Sequence, residues 1–203
     1  TTGLGALQSV GQRQRRRRSK SGTGAFGLGR RVANLVADLA SDSKLGNDRD
    51  ARAAARLLAV QALYQMDIAK TPLENIIREF VAHRLDVSMD GVDMPEGDAV
   101  YFEKILRGVV ENQTPIDRKI DDCLSENWHL ARLDSTLRAI LRCGVFELAY
   151  GGDAPMGVLV SQYTDIAHAF FDGPEGGMAN ALLDRVGQGV TSEANLSGTP
   201  SPE

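Results

Sequence analysis

The sequence has 203 residues, of which 42% are hydrophobic and 25% charged, a composition typical of a globular protein with one domain and tails. No apolar run approaches the roughly 20 residues that a membrane-spanning helix requires, and no apolar segment follows the N-terminal arginines as it does in a secretory signal. The net charge of −4 conceals a division, because residues 1–56 carry twelve Lys or Arg against four Asp or Glu, whereas the remainder carries eleven against twenty-three.

Residues 1–47 are rich in Gly, Ser and Arg and form the most basic part of the chain. Five arginines lie close together here, at Arg13, Arg15, Arg16, Arg17 and Arg18. The segment holds too few apolar side chains to offset the entropy of ordering its backbone. We therefore predict that it is mostly disordered, apart from a short amphipathic helix at 28–39. A G-x-G-x-x-G match at 22–27 follows no strand, and we interpret it as a chance match.

From Asp48 onward, apolar residues recur at three- and four-residue spacing, which predicts one helix after another. The predicted helices cover 50–69, 71–85, 101–113, 115–128, 133–150, 156–171 and 175–190. Strand-like runs are scarce and no β–α alternation occurs. We therefore expect an all-α globule of about seven helices at 48–190, followed by a disordered polar tail at 191–203.

The first of these helices carries a cluster of polar residues suited to nucleic acid. Arg49, Arg52 and Arg56 recur at three and four residues and therefore share one face of its first turns, and Gln61 and Tyr64 follow further along. Arginine with glutamine and tyrosine nearby can contact phosphates and stack on unpaired bases. An alternative is that Arg52 and Arg56 only cover the helix and pair with Asp48 or a neighbouring segment.

Groups that could support catalysis or bind a metal are dispersed. The three histidines lie far apart, at His83, His129 and His168, and Cys123 and Cys143 form no C-x-x-C pair. The aspartates at 117, 121 and 122 lie on neighbouring helical turns, an arrangement more typical of a solvated helix face than of a cation site. We expect no catalytic residues, no metal and no cofactor, and unpaired cysteines suit the reducing cytoplasm.

Four segments resemble the NusB family of bacterial transcription antitermination factors in their order and spacing. They are RLLAVQALYQMD at 56–67, YFEKILRGVVEN at 101–112, LRAILRCGVFELAYGGDAP at 137–155 and MANALLDRV at 178–186. The resemblance covers about residues 49–187, and its most specific parts are A-V-Q-A-L-Y-Q at 59–65, L-R-x₄-E-L at 141–148 and N-A-L-L-D at 180–184. It implies two helical subdomains packed together, which agrees with the helix count.

The resemblance implies a function without catalysis. Members of this family pair with NusE, a small-subunit ribosomal protein, and the pair binds the single-stranded boxA element of nascent ribosomal RNA. The complex joins RNA polymerase with other Nus factors and suppresses termination. For this chain, the resemblance implies that Arg52, Arg56, Gln61 and Tyr64 face the RNA. Two hypotheses stay open for the arginines at 13–18: they add charge to that surface, or the true translation start lies downstream of them. The acidic body would meet the basic ribosomal protein, and a homodimer stays open.

Two of the departures from the family's pattern bear directly on RNA binding. Relatives commonly carry a denser arginine cluster where this chain has alanine at 53–55, and Met178 stands where an aromatic residue usually precedes the last motif. Two alternatives therefore stay open. One is a helical protein-interaction module that does not bind RNA. The other is an RNA-binding fragment of a larger rRNA methyltransferase. The methyltransferase domain would have to follow Val190, where thirteen residues remain, so this alternative holds only if the chain is a fragment.

Two further expectations concern the interior. Trp128 and Phe146 are predicted to lie in the core. Arg138 and Arg142, on the longest apolar helix, are expected to pair with carboxylates such as Glu147, because a charge inside a protein requires a partner.

Overall fold

The computed structural model describes residues 47–83, 97–125, 128–151 and 153–197, which contain helices and no strand. Seven α-helices follow one another in these ranges. They are α1 Asn47–Ala69, α2 Leu73–His83, α3 Ala99–Glu111, α4 Gln113–Cys123, α5 Ser135–Tyr150, α6 Met156–Phe170 and α7 Glu175–Ser197. A short 3-10 helix at Leu130–Arg132 precedes α5. The all-α prediction is confirmed. The predicted helix at 28–39 and the glycine motif at 22–27 lie outside the described residues.

The first helix is enclosed on more sides than its sequence predicts. Residues 53–60 are all buried, because α1 packs against α2, α3 and α5. The small side chains of Ala53, Ala54 and Ala55 let these neighbours approach closely. Positions 53–55, where the family resemblance led us to expect a denser arginine cluster, are therefore packed interior in this chain, and a long charged side chain would not fit there without a shift of the neighbouring helices.

The fifth helix is the centre of the molecule. Residues 139–147 are buried without interruption, since α5 packs against α1, α3, α4, α6 and α7. One cluster of buried apolar side chains includes residues from all seven helices, with Phe146 inside it and the half-buried Trp128 packed against it. Both residues therefore contribute to the core as predicted. The division into two subdomains stays a prediction.

The start of α1, the start of α3 and the end of α5 carry the residues of the candidate site described below. The Asp98 carboxylate accepts a hydrogen bond from the Tyr101 N–H at 2.9 Å and caps α3. The Asp98 N–H donates to the Ala51 carbonyl at 3.1 Å, which holds the start of α3 against the first turns of α1. Gly151, with φ of +143°, ends α5 in a conformation that favours glycine. The turn that follows carries Asp153.

The last helix is longer than predicted. It continues to Ser197, so the polar tail does not begin at 191. None of the helices in the described ranges combines the length and the hydropathy that a bilayer span requires.

Candidate nucleic-acid interface

The first turns of α1 present cations at the surface. The Arg52 side chain is 40% exposed, and its guanidinium lies between two carboxylates, with Nε 4.0 Å from an Asp98 oxygen and Nη1 3.9 Å from an Asp153 oxygen. Arg49, one turn earlier on α1, is exposed. Contacts this long between exposed groups hold Arg52 only weakly, so the guanidinium can exchange these partners for a ligand.

The Tyr101 ring lies close to three cations, those of Arg52, Arg56 and Lys104. The guanidinium carbons of Arg52 and Arg56 lie 5.1 and 5.0 Å from the ring centroid, and the Lys104 ammonium lies 5.7 Å from it. Burial, and then the hydrogen bond to Glu147, raise the pKa of Tyr101. The phenol therefore stays neutral at physiological pH. Its ring face attracts the three cations through its quadrupole.

Arg56 is buried in the interior of the protein. Its side chain is only 3% exposed and forms a two-pronged ion pair with Glu147, with Nε 2.8 Å from Oε2 and Nη2 3.0 Å from Oε1. Its Nη1 donates to the Gln162 amide oxygen at 2.6 Å, and its Nη2 donates to the Tyr101 hydroxyl at 2.7 Å. Every part of the guanidinium is thus engaged with α3, α5 or α6.

Glu147 completes this buried network, which we call the Arg56–Glu147 network. The Tyr163 hydroxyl donates to Glu147 at 2.5 Å, and the Tyr101 hydroxyl donates to its other oxygen. Burial, and then the charge of Glu147, raise the pKa of Tyr163 well above its usual value. Burial tends to lower the pKa of Arg56, but its hydrogen bond to Glu147 and the charge of that group outweigh this effect and raise it. Arg56 therefore stays charged and both tyrosines stay neutral at physiological pH.

The prediction that Arg56 binds RNA is wrong for this structure. A guanidinium that is enclosed by Glu147, Gln162 and Tyr101 cannot reach a phosphate without breaking a buried ion pair. The spacing of Arg56 from Arg52 is that of one helical turn, and it carries no signal of burial. The partner that decides the matter, Glu147, lies 91 residues further along the chain.

Arg138 and Arg142 pair with carboxylates as expected, although Glu147 is not the partner. Arg142 forms a two-pronged contact with Asp117, at 2.7 and 2.8 Å. Both arginines also contact Asp67 at the end of α1, at 3.1 and 3.4 Å. Asp117 is thus committed to an arginine. Within the described ranges, no group of three or more His, Cys, Asp or Glu side chains could hold a metal ion.

Gln61 and Tyr64 lie apart from the arginines. Tyr64 is 41% exposed and Gln61 is half-buried. An α-helix turns once in 3.6 residues and rises about 1.5 Å per residue, so Tyr64 lies roughly a third of a turn around α1 and about 18 Å along it from Arg52. No contact joins Gln61 or Tyr64 to Arg49 or Arg52 among those found in the described residues, so the structure does not bring the two groups together. The arginines at 13–18 lie outside the described residues.

Two residues of this surface were not anticipated from the sequence. Lys104 and Asp153 reach the neighbourhood of Arg52 from α3 and from the turn after α5. The sequence carries one signal, the i, i+3 spacing of Tyr101 and Lys104, which places both on one face of α3. Nothing in the sequence links that face to α1.

The fold and the site define a small all-α protein in which α1 and α5 form the buried centre. Arg49 and Arg52 lie at the surface at the start of α1. A model of the NusB family matches residues 53–188. The transcription antitermination protein NusB of Rhizobium rhizogenes is 50% identical over 143 residues, which cover 70% of this chain and 89% of that protein. The protein of the same name from Caulobacter vibrioides is 45% identical over 141 residues, covering 70% and 95%. The chain belongs to the NusB family.

Solved structures share the fold. NusB of T. maritima superposes with a TM-score of 0.58 at 26% identity, over 72% of this chain and 96% of that one. A chain of the complex of antitermination factors NusB and NusE with double-stranded RNA gives a TM-score of 0.56 at 23% identity, over 68% of this chain and 96% of that one.

Proposed function

We propose that this chain is a non-catalytic transcription antitermination factor of the cytoplasm that binds RNA together with NusE. Its RNA is a single-stranded boxA-type element of nascent ribosomal RNA, and the complex acts on RNA polymerase with other Nus factors. The observation that carries the proposal is the pair of exposed arginines, Arg49 and Arg52, at the start of α1, next to the most basic part of the chain. The antitermination role rests on the relatives of the same family.

The proposed RNA path runs along α1. Arg49 and Arg52 bind phosphates, and the arginines at 13–18 add charge ahead of them. Further along, Tyr64 stacks on an unpaired base and Gln61 offers its amide to a base edge. Arg56 contributes indirectly, because its pair with Glu147 holds α1 against α5.

The acidic body is the proposed surface for NusE. Residues 57–203 carry twenty-three Asp or Glu against eleven Lys or Arg, which favours a basic partner such as a ribosomal protein. A NusB of the same fold was solved with NusE and double-stranded RNA. A duplex form of the RNA is therefore the natural competitor in any test of single-strand binding.

Binding to RNA is expected to weaken steeply with salt, because each phosphate contact releases counterions. The measurement is fluorescence anisotropy of a labelled boxA-type RNA with the full 203-residue chain and NusE across a range of salt concentrations. Arg49→Gln with Arg52→Gln is expected to weaken binding and to reduce the logarithmic salt slope by about 1.4, at about 0.7 for each lost contact on a single strand.

The matched control changes two exposed arginines elsewhere, Arg78→Gln on α2 and Arg118→Gln on α4. It removes the same net charge from other surfaces and is expected to leave the slope near that of the unsubstituted chain. An equal loss of slope in both double variants would show that the start of α1 is not the RNA surface.

A further inference from the structure

A single carboxylate bridges two cations that come from different helices. Asp153 accepts from the Lys104 ammonium on α3 at 3.2 Å, and its other oxygen lies 3.9 Å from the Arg52 guanidinium on α1. Both cations also lie over the Tyr101 ring. The side chains of all three charged residues are 40–46% exposed, so this cluster opens to solvent.

The arrangement suits an anion larger than a carboxylate. Arg52 can offer two parallel N–H groups to a phosphate, and Lys104 supplies a point charge beside the same Asp153 carboxylate. A phosphate diester presents an oxygen to each cation, as Asp153 does in the free protein. Exposed ion pairs contribute little stability, so an incoming phosphate can displace Asp153 at small cost.

We propose that Arg52 and Lys104 together form a binding site for one phosphate of the RNA backbone, which Asp153 occupies in the free protein. RNA binding exchanges the carboxylate for the phosphate, and the Asp153 side chain turns to solvent. This inference rests on the proposed RNA-binding function. It extends the RNA surface from α1 to a second helix, α3. The Asp153 carboxylate competes with the phosphate and so selects against weakly bound polyanions.

The test measures the affinity of a labelled boxA-type RNA for the full chain with NusE, for Lys104→Gln, Asp153→Asn and the variant carrying both. Lys104→Gln is expected to weaken binding and to lower the logarithmic salt slope by less than the value of about 0.7 for one whole phosphate contact, because Arg52 still binds that phosphate. Asp153→Asn is expected to strengthen binding about two- to five-fold, since one or two exposed ion pairs no longer have to be broken. In the presence of Lys104→Gln, that gain is expected to shrink, because half of the bridge is already absent.

The matched controls are Lys119→Gln and Asp122→Asn on α4, which make the same changes of charge on another helix. None of the four side chains belongs to the hydrophobic core, so the variants are expected to fold like the unsubstituted chain. If the Lys104 and Asp153 variants change affinity no more than these controls, or if their effects simply add, the phosphate site is wrong. If the unsubstituted chain binds no RNA with NusE present, the proposed function itself is wrong.

Discussion

Arg56→Ala is expected to lower the free energy of unfolding by about 3–5 kcal/mol. The change removes the only cation that contacts Glu147 among the described residues, and leaves that carboxylate buried between two tyrosine hydroxyls. Urea denaturation followed by circular dichroism measures the loss. Arg52→Ala is the control: it removes an exposed arginine one turn away and is expected to change stability by less than about 0.5 kcal/mol.

Removing both charges separates the cost of leaving Glu147 unpaired from the cost of the lost packing of the Arg56 side chain. Arg56→Met with Glu147→Leu replaces the ion pair by apolar groups of similar length, and is expected to recover part of the stability that Arg56→Ala loses. Full recovery is not expected, because Tyr101, Tyr163 and Gln162 would each lose a hydrogen-bond partner. If Arg56→Ala costs no more than Arg52→Ala, the guanidinium is not buried in solution and belongs again to the candidate RNA surface.

The difference in stability between Arg56→Ala and Arg52→Ala also determines how their effects on RNA binding are to be interpreted. A variant at Arg56 is expected to lose RNA binding through partial unfolding, whereas a variant at Arg52 is expected to lose it while remaining fully folded. Affinities of the two variants are therefore comparable only at a temperature where both are native. Without that precaution, Arg56 would be mistaken for an RNA contact.

Gly108→Ala is expected to lower the free energy of unfolding by about 1–3 kcal/mol, because overpacking forces side chains out of their preferred rotamers. Gly108 lies on α3 where the Phe146 ring of α5 crosses it, and an added methyl carbon would overlap that ring. The ring lies in the core and is stacked on Tyr150, so it has little room to move. Thermal and urea unfolding measure the effect.

A matched control uses another helical glycine with open space around it. Gly189→Ala on α7 meets no atom within 4 Å and is expected to stabilise the protein by about 0.5–1 kcal/mol through helix propensity. Adding Phe146→Leu to Gly108→Ala makes room for the methyl group and is expected to restore part of the loss. Equal stability of Gly108→Ala and Gly189→Ala would contradict the close approach of α3 and α5.

Helical periodicity was sufficient to predict the fold, because each helix buries a face of regularly spaced apolar residues. It failed where burial depends on distant residues. Arg52 and Arg56 are the same residue type one turn apart, yet one faces solvent and the other faces Glu147, 91 residues further along. The sequence likewise suggested Glu147 as a partner for Arg138 and Arg142, which in the structure take Asp67 and Asp117. Charge pairing is predictable in kind, but the identity of each partner depends on how the helices pack.

The candidate surface shows the same limit. The arginines at the start of α1 were found from their spacing alone. Lys104 and Asp153 were not, because they approach Arg52 only after α3 and the turn following α5 pack beside α1. The position of Tyr101 next to three cations depends on the same packing.

The most direct test of the central claim compares two RNAs, each with and without NusE, on the full chain. One RNA carries a single-stranded boxA-type element and the other has the same nucleotides in permuted order. We predict tighter binding of the boxA-type RNA, a further gain when NusE is added, and little competition from its duplex form. Equal and weak binding of both RNAs, unchanged by NusE, would contradict the proposed function and leave a helical protein-interaction module.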